Sequence, residues 1–210
     1  MAHYFITGVS SGIGRALVTK LCRDQHNVSG VARRTERLED LMIKNKSFYG
    51  MVCDVTEVSS LADCVSSAEK KLGNIDTAIL NAGIYVPQDG KDIDPSVYAK
   101  HMDTNYMGVI NALAPIIPSM IKRGTGHIAI IASAAGWRGL PKAAAYGPTK
   151  AALISLSESL YFDLKKTGVK LQVICPGFVD TEATSINNFY MPGLMTCLLY
   201  TSPSPRDVRS

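Results

Sequence analysis

Paired cysteines are lacking in this chain of 210 residues: there are five cysteines, an odd number, and no two form a CxxC pair. Neither a closed disulfide framework nor a zinc-binding knuckle fits that pattern. Reduced thiols in a cytoplasmic setting are expected, with no metal site. Charge of one sign is missing too. Twenty-two basic against 18 acidic residues leave a net +4, and the basic residues are scattered, so no nucleic-acid partner is implied. Long hydrophobic runs are absent. The most apolar stretch, 108–120, is interrupted by Asn111, Pro115 and Pro118, and no membrane span is expected. Strand-like His3–Thr7 follows Met1 almost at once, which leaves no place for a secretory leader. There is no internal repeat and no sign of a second domain.

What is present is alternation. Short apolar runs at 3–7, 27–32, 48–53, 76–80, 127–132 and 170–175 are separated by helical patterns near 12–24, 34–44, 57–72, 95–122 and 146–166. Strand–helix alternation of this kind predicts βαβ units. The fold class is therefore α/β, a three-layer doubly wound parallel sheet of Rossmann-like type in one domain over residues 1–196. Such sheets bind ligands beyond the carboxyl ends of their strands, and every motif below falls there.

The first strand runs into Thr7-Gly8-Val9-Ser10-Ser11-Gly12-Ile13-Gly14. A pyrophosphate needs bare backbone N–H groups and a helix N-terminus aimed at it, and glycine permits the tight turn and close approach. The loop Gly8, Ser10, Ser11, Gly12, Ile13, Gly14 is the candidate cradle, in GxxxGxG rather than GxGxxG spacing. At the end of the second strand, where an acid would hold the ribose 2′-hydroxyl of NAD, stand Arg33 and Arg34. A guanidinium suits a 2′-phosphate, so NADP(H) is favoured over NAD(H); a solvated basic pair opening the next helix is the alternative. The third strand leads to Asp54-Val55, where Asp54 either accepts from the adenine amino group or caps the helix after Thr56. The fourth ends at Asn81-Ala82-Gly83, whose small residues let backbone pass close to a cofactor or simply form a turn.

The fifth strand ends at Ser133. Thirteen residues on, Tyr146-Gly147-Pro148-Thr149-Lys150 places a phenol and an ammonium at i and i+4 on one helix face. A tyrosine with an ordinary pKa of about 10 is a poor proton trader near neutrality, and a neighbouring ammonium favours the phenolate. Tyr146 then exchanges a proton with a carbinol or carbonyl oxygen while hydride moves at carbon, and Ser133 bonds the same oxygen.

Together these residues resemble the classical short-chain dehydrogenases/reductases, over about residues 2–196. The resemblance implies an oxidoreductase interconverting a carbonyl and a secondary alcohol. Tyr146 would be its general acid/base, Ser133 the oxygen-side partner, and Lys150 both tunes Tyr146 and binds the nicotinamide ribose. Asn105 matches the asparagine that holds a proton-relay water. Pro176, Gly177, Val179 and Thr181 match the segment covering the nicotinamide, with Thr181 on its carboxamide, and Arg33 matches the position typical of NADP(H)-preferring members. A homodimer or homotetramer is implied through the helix that follows Tyr146, where Ala151, Ser155 and Ser159 form a small-residue stripe. The partner is a small-molecule carbonyl or alcohol, with Tyr85, Val86, Trp137, Leu140, Phe178 and Val179 as wall candidates. A non-catalytic dinucleotide-binding or sensing protein and an inactive truncated product are the other readings. Pro148 departs from easy helical sequence and is tolerable only in a first turn. The last edge strand and final helix of the family have no counterpart before the end of the chain. Residues 197–207 coincide with one reading frame of a transposon-derived sequencing adapter, so residues 197–210 are expected to be a non-native tail.

Overall fold

The six apolar runs become the six strands of one sheet. In the computed structural model, which describes residues 1–185 and 190–197, these are β1 (His3–Thr7), β2 (Asn27–Ala32), β3 (Phe48–Val52), β4 (Thr77–Leu80), β5 (Gly126–Ile131) and β6 (Val169–Ile174). All pair in parallel, in the order β3-β2-β1-β4-β5-β6. The order reverses between β1 and β4, which is where a doubly wound sheet opens a crevice. Among the described residues β6 is outermost on its side.

Successive side chains of a strand point to opposite faces, so each strand feeds two cores. Phe5, Leu80, Ile128 and Ile130 pack with Leu61 and Val65 of α3 (Val58–Leu72), Ile116 and Met120 of α5 (Gly108–Arg123) and Leu153 of α6 (Gly147–Leu164). Their neighbours Ile6, Ile79, Ala129 and Ile131 pack with Val18 of α1 (Gly12–Arg23) and with Leu38 and Leu41 of α2 (Thr35–Lys44). Each fully buried aliphatic or aromatic side chain contributes about 1.5–3 kcal/mol, and the sheet is thereby fixed as the rigid middle layer of three.

The single helix expected over 95–122 is divided. Asp94 accepts from Ser96 N at 2.9 Å and starts α4 (Pro95–Met102), with Pro95 in its first turn. A π-helical turn, Asp103–Met107, then joins it to α5. Pro115 and Pro118 stay inside α5 without ending it. Burial of Val109, Ala112, Leu113, Ile116 and Met120 along one face outweighs the two missing backbone donors.

After β6 the two-residue strands β7 (Val179–Asp180) and β8 (Met195–Thr196) pair in parallel. Cys197, where the expected tail begins, donates its thiol to Asp180 O at 3.1 Å; the rest of that tail, 198–210, lies outside the described residues. No helix among the described residues is long and apolar enough to cross a membrane.

Candidate active site

A cleft of about 600 Å³ runs along the carboxyl ends of the strands. Every site residue singled out in the sequence lines it except Gly14 and Asn105, and of the wall candidates only Trp137 stands outside it.

One end of the cleft is built by the glycine loop. Gly8 has φ +76°, and a β-carbon there would lie 2.8 Å from Ala82 Cα. The loop is braced to the end of β4. Thr7 Oγ1 accepts from Asn81 N and Ala82 N, both at 3.0 Å, while Asn81 Nδ2 donates to Thr7 O at 3.1 Å and Gly8 O at 3.3 Å. Asn81 therefore uses its amide to hold the loop. A β-carbon on Gly14 would collide with Gly8 O, so Gly14 serves helix–strand packing. The N-terminus of α1 carries no side-chain cap and no acid in its first turn. Its free N–H groups and positive dipole end are left for an anion.

Beside that loop lies a cationic cluster. Arg33 pairs with Asp54 at 3.3 Å, and Asp54 also accepts from Thr56 N at 3.1 Å and Thr56 Oγ1 at 3.0 Å. Burial pushes Asp54 up, but the Thr56 donors and the Arg33 guanidinium together hold its carboxyl below the usual range. The helix that follows begins at Val58 after Glu57. Asp54 is thus a turn and ion-pair residue, not that helix's cap. Arg34 lies across the loop hydroxyls, donating to Ser10 Oγ at 3.0 and 2.8 Å and to Ser11 Oγ at 2.7 Å. Its outer nitrogen meets Glu182 at 3.0 Å, and Arg37 bonds the other oxygen of the same carboxylate. Neither Glu182 nor Arg37 belongs to a motif that the sequence marks.

At the other end Ser133 closes β5 and caps a 3-10 turn, Ala134–Gly136, by accepting from Ala135 N at 3.1 Å. Its hydroxyl lies near enough to the Tyr146 phenol to oppose the rise in that group's pKa. Tyr146 stands at the N-cap of α6, so Pro148 falls in the first turn, where it is tolerated. Lys150, one turn on, is buried, with Nζ donating to Ile131 O at 2.8 Å and lying 5.5 Å from the Tyr146 ring centroid. Burial lowers its pKa from 10.5 to about 8. Tyr146 moves opposite to the sequence expectation. Burial pushes it up to about 12, against the Ser133 hydroxyl and with the Tyr85 phenol adding to the rise. The ammonium is engaged with a carbonyl and sits by the ring, so desolvation of the phenol prevails.

Asn105 lies in the π turn and is fully buried. Its Oδ1 accepts from Ile84 N at 2.7 Å, and Nδ2 donates to Ile84 O at 3.0 Å and Thr149 Oγ1 at 3.1 Å. Its side chain grips the loop after β4 rather than facing the cleft. His101, four residues earlier, accepts from Val86 N at 3.0 Å through Nε2 and donates from Nδ1 to Val97 O at 2.7 Å. Between these two grips Tyr85 is set edge-on to Tyr146, with ring centroids 5.3 Å apart. Nothing local in the sequence marks His101 for this task. Across the cleft Thr181 turns its hydroxyl to Thr184 Oγ1 at 3.2 Å, and its methyl lies 3.2 Å from where a β-carbon on Gly12 would be. The segment after β6 therefore reaches the glycine loop.

A family model described as short chain dehydrogenase matches residues 2–189. An uncharacterized oxidoreductase of Myxococcus xanthus is 36% identical over 194 residues, covering 90% of this chain and 77% of that protein. Another from Staphylococcus epidermidis is 32% identical over 185 residues, covering 88% of this chain and 80% of its own. Among solved structures, an actinorhodin polyketide ketoreductase variant with NADPH superimposes with a TM-score of 0.84 at 28% identity, covering 88% of this chain and 74% of the other. The closed form of a serine dehydrogenase complexed with NADP+ gives 0.86 at 26% identity, covering 93% and 84%. With the parallel sheet, the glycine loop and the Ser133, Tyr146 and Lys150 cluster in place, the chain belongs to the short chain dehydrogenase family of oxidoreductases.

Proposed function

We propose that this oxidoreductase interconverts a carbonyl and a secondary alcohol, prefers NADP(H), and uses Tyr146 as its general acid/base. The observation that carries the reading is one cleft with two chemically different ends. An uncapped helix N-terminus with Arg33 and Arg34 lies at one end, and Ser133, the Tyr146 phenol and buried Lys150 converge at the other. The residues present fit a dinucleotide. No acid competes for the pyrophosphate position in the first turn of α1, and the end of β2 offers guanidinium where a 2′-hydroxyl would call for a carboxylate. The NADPH and NADP+ bound to the two similar structures support the same preference.

When bound, the nicotinamide supplies or accepts the hydride. The protein's part is to place the substrate oxygen between Ser133 and Tyr146. A phenol held up to about 12 is fully protonated at neutral pH, ready to donate to an oxygen gaining negative charge, and Ser133 bonds that same oxygen. Lys150, fixed on Ile131 O and 5.5 Å from the Tyr146 ring centroid, would bind the nicotinamide ribose in this reading. The substrate wall of Tyr85, Val86, Leu140 and Phe178 is mainly apolar. We place the catalytic unit in residues 1–196.

Tyr146→Phe tests this. Calorimetry is expected to show unchanged NADPH affinity, while turnover against a panel of ketones and aldehydes falls by roughly 10²–10⁴-fold. Turnover within a few-fold of the parent would remove Tyr146 from the mechanism.

A further inference from the structure

Glu182 is out of keeping with its surroundings. It is a second acid in a cleft end that presents Arg34, a helix N-terminus and Arg33, which is already paired with Asp54, and among the described acids it alone meets Arg34. Its two oxygens are taken by Arg34, at 3.0 Å, and by Arg37. The rest of the Arg34 fork is spread over Ser10 Oγ and Ser11 Oγ. Arg34 therefore has the geometry of an anion clamp, with two loop hydroxyls on one edge and a carboxylate on the other. That carboxylate comes from the segment after β6, 148 residues away in sequence. The side chains of Arg34, Arg37 and Glu182 are 44%, 40% and 56% exposed, so the bridge is of the solvent-screened kind that yields readily to a stronger anion.

We propose that Glu182 is a specificity-determining residue for the coenzyme: its carboxylate stands in for the 2′-phosphate on Arg34 and must give way when that phosphate binds. The proposal rests on the NADP(H) reading above. A dianionic phosphate satisfies a guanidinium and two hydroxyls better than a monoanionic carboxylate, but binding it requires breaking the Arg34–Glu182 bond and tolerating a nearby negative charge. A dinucleotide without the 2′-phosphate leaves the bridge intact. Glu182 thus narrows the gap between the two coenzymes. Because Glu182 follows Thr181, whose methyl rests against Gly12, its release also frees one tie between the covering segment and α2.

The test uses the 210-residue chain, 2′,5′-ADP and 5′-AMP as probes, which differ only by the 2′-phosphate, and titration calorimetry, so no turnover is needed. The parent is expected to bind 2′,5′-ADP more tightly than 5′-AMP. Glu182→Gln, isosteric and on the surface, is expected to tighten 2′,5′-ADP by about three- to fivefold, the upper range for one partly screened charge. Its affinity for 5′-AMP should stay within about twofold. Glu182→Ala should give the same ratio, and 0.5 M salt, chosen to give a Debye length of only about 4 Å, should shrink the gain. A parent that prefers 2′,5′-ADP while Glu182→Gln leaves or lowers the ratio would overturn the role given to Glu182 and leave the coenzyme reading standing. A parent that binds both probes alike would overturn both.

Discussion

Lys150 offers a direct measure of how dry the Tyr146 end of the cleft is. Its ammonium is buried, bonded to Ile131 O, and its pKa is lowered from 10.5 to about 8 by burial. Because the folded value lies below the unfolded one, the unfolded chain binds more protons between about pH 8 and 10.5, and stability rises with pH through that window. Below about pH 8 both states are charged and the penalty of burying the charge is felt in full. At about 1.4 kcal/mol per pH unit the whole window is worth about 3 kcal/mol, and about 2 kcal/mol is recovered by pH 9.5. Urea unfolding from pH 6 to 9.5 of Cys175→Ala and of Cys175→Ala/Lys150→Met isolates this contribution, since the one thiol that interacts electrostatically with Lys150 is removed from both. The stability difference is expected to be flat from pH 6 to 7, then to move by about 2 kcal/mol in favour of the protein that keeps Lys150 by pH 9.5. The offset at pH 7 mixes loss of a buried charge with an orphaned Ile131 carbonyl and decides nothing; the slope does. A difference that stays level across the range would mean that Lys150 is solvated, and the argument from burial would fail for Tyr146 as well.

Three further outcomes follow from the same geometry. Arg33→Ala should lower the ratio of NADPH to NADH affinity by roughly tenfold, with the parent's ratio shrinking in high salt; titration of both coenzymes reads it. Gly8→Ala forces a left-handed residue and drives a β-carbon to 2.8 Å from Ala82 Cα, so a loss of at least about 1–3 kcal/mol in urea unfolding is expected, together with weakened dinucleotide binding. Ala151, Ser155 and Ser159 lie exposed along α6, near exposed Tyr161 and Phe162; a small-residue stripe beside apolar rings predicts a dimer or tetramer by light scattering, and a stable monomer at micromolar concentration would contradict it.

The sheet was legible in the sequence because its cause is local. Each of the six strands appears within a residue or two of an apolar run, and the glycine loop, Ser133, Tyr146 and Lys150 mark themselves by type and spacing. What stayed hidden depends on partners far along the chain. Asn105 carries the right type of side chain, but only the loop at Ile84 decides that its amide is consumed there. Of the two roles that Asp54 offered, the cap position of the next helix falls to Glu57 instead, while Arg33 and Thr56 hold its carboxylate at the cleft wall. The rise in Tyr146 could not be read from its i+4 lysine, because burial depends on how β5, α6 and the loop carrying Tyr85 close around the ring. Glu182 has no spacing to betray it; its meaning comes from two arginines on α2 and the turn before it.

The π turn at Asp103–Met107 has a consequence for which changes of length this chain tolerates. Such a turn holds one residue more than the α-helical turn it replaces, and each helical residue advances the side-chain direction by about 100°. Its surplus is absorbed within that one turn, so His101, which serves the loop at Val86, and Asn111, which donates to Val55 O at 2.9 Å, both keep their faces. Excising an exposed member of the turn such as Met107 would restore regular winding and leave the direction of α5 nearly unchanged. A deletion just after Val109, where no turn absorbs it, would swing every later residue by about 100° and carry Ala112, Leu113 and Ile116 out of the core. Two single-codon deletions only a few residues apart would therefore differ greatly in their cost.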